Sequence, residues 1–193
     1  MKRIFDSREF RHYQIASLYE SRSTISAGTM YSSYTTVFLS HKHDDLEDLK
    51  DIIGFLQTQY GVKVYIDSRD PSMPRFTSGE TAENLKNRIK QCNKFILLAT
   101  NAAIESKWCN WELGFGDAQK YKDNIAIFPI KPEGTYDYQY KGNEYLSIYP
   151  HIVFYNGTET YRDGRAVQRG YYVCTIENGI NIITPLADWL SCR

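Results

Sequence analysis

Between residues 36 and 154, short apolar runs alternate with longer stretches whose apolar residues recur at helical spacing. The apolar runs predict buried strands at 37–39, 62–66, 95–99, 125–130 and 148–154. The intervening stretches predict amphipathic helices over 45–60, 80–92 and 104–121. Strands that are apolar on both faces, each followed by such a helix, are typical of a parallel sheet covered on both sides. The sequence therefore predicts an α/β protein with a doubly wound, five-stranded parallel sheet.

The two ends of the chain depart from this alternation. Residues 7–20 carry apolar side chains at loosely helical spacing, and the Ser- and Thr-rich stretch that follows is typical of a linker. Near the other end, Asn178-Gly179 predicts the turn of a β-hairpin over 171–184, and Pro185 predicts the start of a short helix. We therefore divide the chain into an N-terminal helix and linker (1–34), a central domain (35–154) and a C-terminal extension packed on it (155–193).

Composition narrows the class of protein. The 193 residues include 23 Lys and Arg against 23 Asp and Glu, and this zero net charge argues against general nucleic-acid binding and against adhesion to anionic membranes. No apolar run approaches the about 20 residues of a membrane helix, and charges interrupt the N-terminus before a secretory signal could form. The four cysteines lack paired C-x-x-C spacing and predict reduced thiols. A cytoplasmic protein is expected.

The first predicted strand and its loop exclude three common doubly wound families. Dinucleotide binding requires G-x-G-x-x-G, but residues 40–45 read SHKHDD, and the P-loop motif occurs nowhere in the chain. A phosphoacceptor domain needs an aspartate at the end of the third strand, which instead reads Leu98-Ala99-Thr100. What remains is Ser40-His41 after the first strand, a proline-bearing loop after the second and a tryptophan-rich third helix.

With these features, residues 35–154 resemble the bacterial branch of the TIR (Toll/interleukin-1 receptor) domain family. The matching boxes read TVFLSH at 36–41, VYID at 64–67, CNKFI at 92–96 and, most specifically, SKWCNWELG at 106–114. The resemblance implies a flavodoxin-like sheet with strand order 2-1-3-4-5. Ligands of such a sheet bind beyond the carboxyl ends of the first and third strands.

The resemblance also implies an enzyme that cleaves the bond between nicotinamide and ribose, with NAD+ as substrate and no further cofactor. The family's essential glutamate matches Glu112, and Trp108 lies one helical turn before it on the same face. Nicotinamide leaves NAD+ as a neutral base, so one carboxylate that stabilises the positive charge on the ribose suffices. Glu112 is therefore the expected catalytic residue, and Trp108 is expected to offer an aromatic plane to the same ligand.

Two loops are expected to supply the remaining substrate contacts. In the loop after the first strand, the family holds ribose or phosphate, and the matching residues are Ser40, His41 and Lys42. His41 departs from the tyrosine of many family members. In and beside the mobile BB loop after the second strand, the expected contacts are Asp67, Arg75 and Phe76. A metal site is not expected, because His41 and His43 have no third ligand at a recognisable spacing.

The family resemblance extends to partners. Stand-alone bacterial TIR proteins resemble the signal-producing component of anti-phage systems such as Thoeris, in which a nucleotide product activates a separate effector. The family also self-associates through TIR–TIR contacts. The sequence leaves open whether the product is linear, cyclic or conjugated ADP-ribose.

Other interpretations of the same residues stay open. A TIR adaptor that acts only by homotypic binding would have no need of the Trp108–Glu112 pair. A deoxyribosyltransferase-like enzyme would need a second carboxylate as nucleophile, and none is obvious near the first strand. Without the resemblance, Trp108 and Trp111 would be core residues and Glu112 a solvated helix residue. Gly114 and Gly116, in the same helix, are interpreted as close-packing positions.

Overall fold

Strands and helices alternate through a computed structural model that describes residues 1–15, 34–67, 79–120 and 122–192. The strands of this part of the chain are β1 (Phe5–Asp6), β2 (Thr36–Ser40), β3 (Lys63–Tyr65), β4 (Lys94–Ala99), β5 (Ile125–Lys131), β6 (His151–Tyr155), β7 (Gly170–Glu177) and β8 (Ile180–Pro185). Its α-helices are α1 (Leu46–Tyr60), α2 (Gly79–Gln91), α3 (Asn101–Glu105), α4 (Lys107–Lys120), α5 (Asn143–Ile148) and α6 (Leu186–Ser191). None of the described helices is long and apolar enough to cross a membrane.

The centre of the sheet is the predicted parallel array. Five strands run parallel in the order β3-β2-β4-β5-β6, which is 2-1-3-4-5 for the five strands predicted between 37 and 154. Every residue of β4 and β5 is buried, as their unbroken apolar runs indicated. The prediction of a doubly wound α/β fold is confirmed. The strand order reverses at β2, so a crevice forms beyond the carboxyl ends of β2 and β4.

Two apolar layers cover the sheet. On one face, side chains of α1 and α6 form a buried cluster with β2, β4 and β5. On the other face, α2, α4 and α5 pack against the alternate residues of the same strands. Within the first layer the rings of Phe10 and Phe55 lie 4.8 Å apart, and both contact the ring of Phe128 on β5. The helices are therefore held at fixed positions around the crevice.

The N-terminal segment differs from the helix predicted over 7–20. Its described part contains β1, which pairs with the end of β5, and a single 3-10 turn at Arg11–Tyr13. Two features explain why no helix forms. Phe5 and Phe10 are buried in the core, and Arg8 has a left-handed backbone conformation with φ 66°, which interrupts a helix. Residues 16–20 of the predicted helix, and most of the predicted linker, lie outside the described residues.

The C-terminal hairpin continues the sheet. β7 pairs antiparallel with β6, and β8 pairs antiparallel with β7. Asn178 and Gly179 both have positive φ, as a two-residue type I′ turn requires, and α6 follows directly after Pro185. The predicted hairpin and helix are confirmed, and the pairing shows that they extend the same sheet as the central strands.

Candidate active site

The candidate site lies at the carboxyl ends of β2 and β4, where the strand order reverses. β2 ends at Ser40, and the chain then turns through Asp45 into α1. β4 ends at Ala99, and Thr100 caps the N-terminus of α3 by accepting a hydrogen bond from the Ala103 amide. Helix α4 begins just beyond, so its first turns lie against the ends of both strands.

The third predicted helix, 104–121, is two helices. Its backbone is extended at Ser106, which separates α3 from α4, and the Ser106 hydroxyl accepts a hydrogen bond from the Cys109 amide. The Asn110 side-chain amide donates to the carbonyl oxygens of Ile104 and Ser106, each at 2.9 Å. The bonds to the Cys109 amide and the Ile104 carbonyl satisfy backbone groups at the helix ends, and the Ser106 carbonyl also accepts a bond from the Asn110 amide at 3.0 Å. Because of the break, α4 begins at Lys107, which places Trp108 in its first turn and Glu112 in its second, next to the crevice.

Glu112 is buried at the centre of the site, with 2% of its surface exposed. Its Oε2 accepts a hydrogen bond from the Ser40 hydroxyl at 2.5 Å, which joins α4 to the end of β2. Its Oε1 is buried and accepts no hydrogen bond of good geometry from the described residues. A solvated helix residue, the alternative drawn from composition, is therefore wrong for Glu112.

This environment strongly favours the protonated form of Glu112. Burial raises the pKa of its carboxyl to about 8, and the negative charge of Asp67 adds to the rise. Hydrogen bonding by the side chains of Ser40 and Trp108 acts in the opposite direction. A buried carboxyl of this kind can release its proton when a cationic ligand approaches, and the carboxylate then stabilises the positive charge.

His41 and Asp67 form the wall of the site next to Glu112. The His41 side chain is buried, and its Nδ1 lies 3.8 Å from Asp67 Oδ1 and 3.3 Å from the Leu39 carbonyl oxygen. The Cys109 thiol donates to the His41 carbonyl oxygen at 3.3 Å, and burial raises the pKa of that thiol to about 11. Cys109 therefore stays a neutral thiol that ties the loop after β2 to α4.

Trp108 begins a row of aromatic rings along α4. Its ring stacks on that of Trp111 at 5.0 Å and 24°, and Trp111 stacks on Phe115 at 6.0 Å and 15°. All three rings are half-buried against the core layer on that face of the sheet. The tryptophans thus contribute to packing, as the alternative interpretation expected, and part of their surface remains exposed.

A second link between the two strand ends was missed at the sequence level. The Thr100 hydroxyl donates to Asp45 Oδ2 at 2.5 Å, which joins the loop after β4 to the loop after β2. Burial raises the pKa of Asp45, while the nearby charge of Lys42 and the hydrogen bond from Thr100 lower it. A threonine before a helix signals an N-cap, but nothing in the sequence indicates its bond to an aspartate 55 positions earlier.

The structure thus brings together five of the eight predicted site residues. Ser40, His41, Asp67 and Trp108 surround Glu112, whereas Lys42 lies in the adjoining turn, where its charge acts on Asp45. Arg75 and Phe76 lie outside the described residues, as does the rest of 68–78. Across the described ranges, no three His, Cys, Asp or Glu side chains are grouped so that they could hold a metal ion.

Comparison with known proteins gives three findings. The family model for the TIR domain matches residues 37–167. A protein of Bacillus cereus (strain MSX-D12), named "Probable 3' cyclic ADP-D-ribose synthase ThsB'", is 33% identical over 118 residues, which cover 60% of this chain and 59% of that protein. The chain thus spans about three fifths of the length of this curated relative. The TIR domain of the Toll-related receptor TRR-2 from Hydra magnipapillata matches 53% of this chain and 75% of its own, at 19% identity and a TM-score of 0.40.

Proposed function

Because this chain belongs to the TIR domain family, we propose that it cleaves the nicotinamide–ribose bond of NAD+ and releases an ADP-ribose-derived, cyclic nucleotide as a signal in anti-phage defence. The family membership and the name of the Bacillus cereus relative support this activity. The observation that carries the proposal is the buried carboxyl of Glu112, which has one oxygen bonded to Ser40 and the other without a hydrogen bond of good geometry from the described residues.

The chemistry of the bond suits a site with one buried carboxyl. When the bond between the nicotinamide nitrogen and the ribose C1 breaks, the electron pair goes to nicotinamide, which leaves as a neutral base. The positive charge moves to the ribose, where the Glu112 carboxylate stabilises it. In a cyclic product the attacking hydroxyl or ring nitrogen belongs to the same molecule, and any proton that it loses passes to solvent or to the carboxylate.

The raised pKa of Glu112 fits a ligand that arrives with a positive charge. Before NAD+ binds, burial and the charge of Asp67 hold the carboxyl protonated near neutral pH. The cationic nicotinamide ring favours the ionised form, because an opposite charge nearby lowers the pKa of a carboxyl. Binding of NAD+ is thus coupled to loss of the proton from Glu112, and the carboxylate forms where the ribose charge will develop.

The other predicted site residues receive supporting roles in this proposal. The exposed part of the Trp108 ring is the plane against which nicotinamide stacks. Ser40 holds the Glu112 carboxyl, and the loop of His41 and Lys42 contacts ribose and phosphate. Asp67, Arg75 and Phe76, in and beside the BB loop, supply further contacts to the ligand in this proposal.

The proposed activity also predicts two kinds of partner for this protein. Self-association through TIR–TIR contacts would complete the active site, and a separate effector would bind the nucleotide product. The protein would act in the cytoplasm, where its substrate and its effector are both present.

The direct test is to incubate NAD+ with the concentrated protein and to analyse the products by chromatography and mass spectrometry. We expect nicotinamide together with a second product whose mass is that of ADP-ribose less one water, the mass of a cyclic nucleotide. Glu112→Gln should lower the rate at least a hundredfold, because it removes a charge interaction that acts on the developing ribose cation. Glu144→Gln, the same change at an exposed glutamate of α5, should leave the rate unchanged.

The assay also distinguishes the alternatives. A second product with the mass of ADP-ribose would indicate hydrolysis instead of cyclisation. If wild-type protein releases no nicotinamide, either alone or in lysate from phage-infected cells, the protein is an adaptor that acts by TIR–TIR binding. Equal rates for wild type and Glu112→Gln would show that Glu112 is not catalytic.

A further inference from the structure

The outer strand of the C-terminal hairpin, β8, is a free edge of the sheet as far as the described residues extend. It pairs with β7 on one side, and none of its backbone groups forms a hydrogen bond outside that pairing in this part of the structure. Its six residues, INIITP, carry no charge. Natural edge strands are usually protected by charged side chains, bulges or covering segments, so an uncharged edge of this length is unusual.

The turn of the hairpin fixes which backbone groups of β8 point outward. In a type I′ turn around Asn178-Gly179, the residues on either side, Glu177 and Ile180, are joined by a hydrogen bond. Hydrogen-bonded and non-hydrogen-bonded pairs alternate along an antiparallel ladder. The amides and carbonyls of Asn181 and Ile183 therefore point away from β7. Pro185 occupies the next outward position, where its missing N–H removes no bond to β7.

This arrangement is complementary to itself. When β8 meets a second β8 in antiparallel orientation, Asn181 of one copy faces Ile183 of the other, and each pair exchanges two hydrogen bonds. The axis of symmetry passes through Ile182, which then lies directly opposite Ile182 of the second copy. In the single chain 46% of the Ile182 surface is exposed, so this pairing would bury an apolar side chain that is now in water.

From this geometry we propose that β8 pairs with β8 of a second copy of this chain, across a twofold axis at Ile182, so that two sheets become one continuous sheet. A symmetric pair meets itself with identical charges, and the side chains of β8 add no charge repulsion of their own; the Arg3 guanidinium, which donates to Asn181 Oδ1 at 3.0 Å, is a charge that the N-terminal segment holds on the strand. The pairing ends at the Asn178-Gly179 turn on one side and at Pro185 on the other. Because the paired segment is short, the dimer forms reversibly and depends on protein concentration.

This contact lies far from the Glu112 site in the order of the sheet. β8 is separated from β4 by β5, β6 and β7. The pairing therefore does not depend on the proposed enzymatic function, and Glu112→Gln should dimerise as the wild type does. The dimer and the enzymatic activity can therefore be tested independently of each other.

Cross-linking tests the position of the axis. Directly opposed residues of a non-hydrogen-bonded pair lie about 4.5 Å apart at Cα, within the range of a disulfide. In a Cys192→Ser background, which removes the exposed native thiol, Ile182→Cys should form a disulfide-linked dimer under mild oxidation. Gln168→Cys in the same background places an exposed thiol outside β8 and should stay monomeric. Equal cross-linking of the two variants, or none at Ile182→Cys, would overturn the proposal.

Sedimentation of proteins without added cysteines tests the pairing itself. The wild type should shift from monomer to dimer as its concentration rises. Ile182→Lys places two positive charges opposite each other and should raise the dissociation constant about tenfold or more, whereas Gln168→Lys should not. Asn181→Pro removes an outward N–H without removing a bond to β7, so it should weaken the dimer with the hairpin intact. A wild type that stays monomeric up to its solubility limit would refute the pairing, as would a dimer that Ile182→Lys leaves unchanged.

Discussion

The Glu112 carboxyl is held away from water by residues from three parts of the chain. Ser40 bonds to it from β2, Asp67 acts on it from beyond β3, and Trp108 lies one turn before it on α4. Removing a charged group from water costs free energy, so the folded protein is more stable with Glu112 protonated than with it ionised. Because of this cost, the ionisation of Glu112 can be measured through the stability of the protein, without any substrate.

We expect Glu112→Gln to become more stable than the wild type as pH rises. The pKa of Glu112 in the folded protein, about 8, lies above its ordinary value of 4.5, so the unfolded chain releases this proton at lower pH than the folded one. Wild-type stability is therefore lost between these two values as pH rises, on the order of 5 kcal/mol in total. Urea unfolding from about pH 5 to about pH 9 measures the difference between the two proteins. A difference that stays constant over this range would contradict the raised pKa; Glu144→Gln is the control.

Asp67→Asn should move the pH dependence of nicotinamide release to lower pH. The Asp67 charge raises the pKa of Glu112, so its removal should let Glu112 ionise at lower pH. The measurement is kcat/KM against pH, which reports on ionisations of the free enzyme. Asp44→Asn removes an equal charge from the exposed loop after β2 and should leave the profile in place. An unchanged profile in Asp67→Asn would show that the two carboxyls are not coupled.

At this scale, the sequence predicted which residues lie together at the strand ends better than it predicted the contacts between them. Motif spacing pointed to Glu112 and Trp108, and strand order brought Ser40 to the same place. The Ser40–Glu112 bond and the His41–Asp67 approach join residues far apart in the chain, and local patterns carry no information about such distances. Gly114 and Gly116 illustrate the same limit: Gly116 packs closely on the ring of Phe95, whereas a side chain at Gly114 would meet only open space.

At the scale of elements, the break between α3 and α4 determines where the site residues lie. Periodicity predicted one helix over 104–121, because apolar spacing continues across the break. Ser106 is a typical N-cap residue and could have indicated the start of α4. Asn110, which bonds to both carbonyls at the break, gave no signal of its own, since its partners are defined only once the two helices exist.

Asn110→Ala should lower the free energy of unfolding by about 1–3 kcal/mol. The substitution leaves the Ile104 and Ser106 carbonyls without their side-chain donor at a partly buried position. Tyr145→Phe is the matched comparison, because the Tyr145 hydroxyl donates to the Asn110 side chain without contacting the break, and its loss should cost less. Urea denaturation of the three proteins measures both effects. If Tyr145→Phe proves the more damaging change, Asn110 does not stabilise the break.

Across the whole molecule, the N-terminal segment joins elements that are distant in sequence. β1 pairs with the end of β5, and Lys2 bridges to Phe154 at the end of β6. The next residues pack on α1, where the backbone of Tyr13 lies directly against Gly54. The apolar spacing of this segment predicted a helix. The sequence pattern contains no information about the backbone groups of β5 and β6 with which the segment pairs instead.

Gly54→Ala should destabilise the protein, although alanine is the better helix former by about 1 kcal/mol. A Cβ at position 54 would lie 1.8 Å from the Tyr13 carbonyl oxygen, so the N-terminal segment must shift away from α1. Gly114→Ala in α4 is the matched control, since no atom lies within 4 Å of its added Cβ, and it should gain about 0.5–1 kcal/mol. Thermal unfolding of both variants shows whether each substitution raises or lowers the stability of the protein. A stabilised Gly54→Ala would mean that the segment does not dock at this position.

The place of β1 in the sheet also constrains how the chain acquires its structure during synthesis. Phe5 and Asp6 leave the ribosome well over a hundred residues before their partners Ile130 and Lys131. Until then, Phe5 and Phe10 have no apolar surface from β5 to cover them. Docking of the N-terminus is therefore a late, long-range closure, and its high loop entropy predicts that it is the slowest contact to form and among the first to be lost.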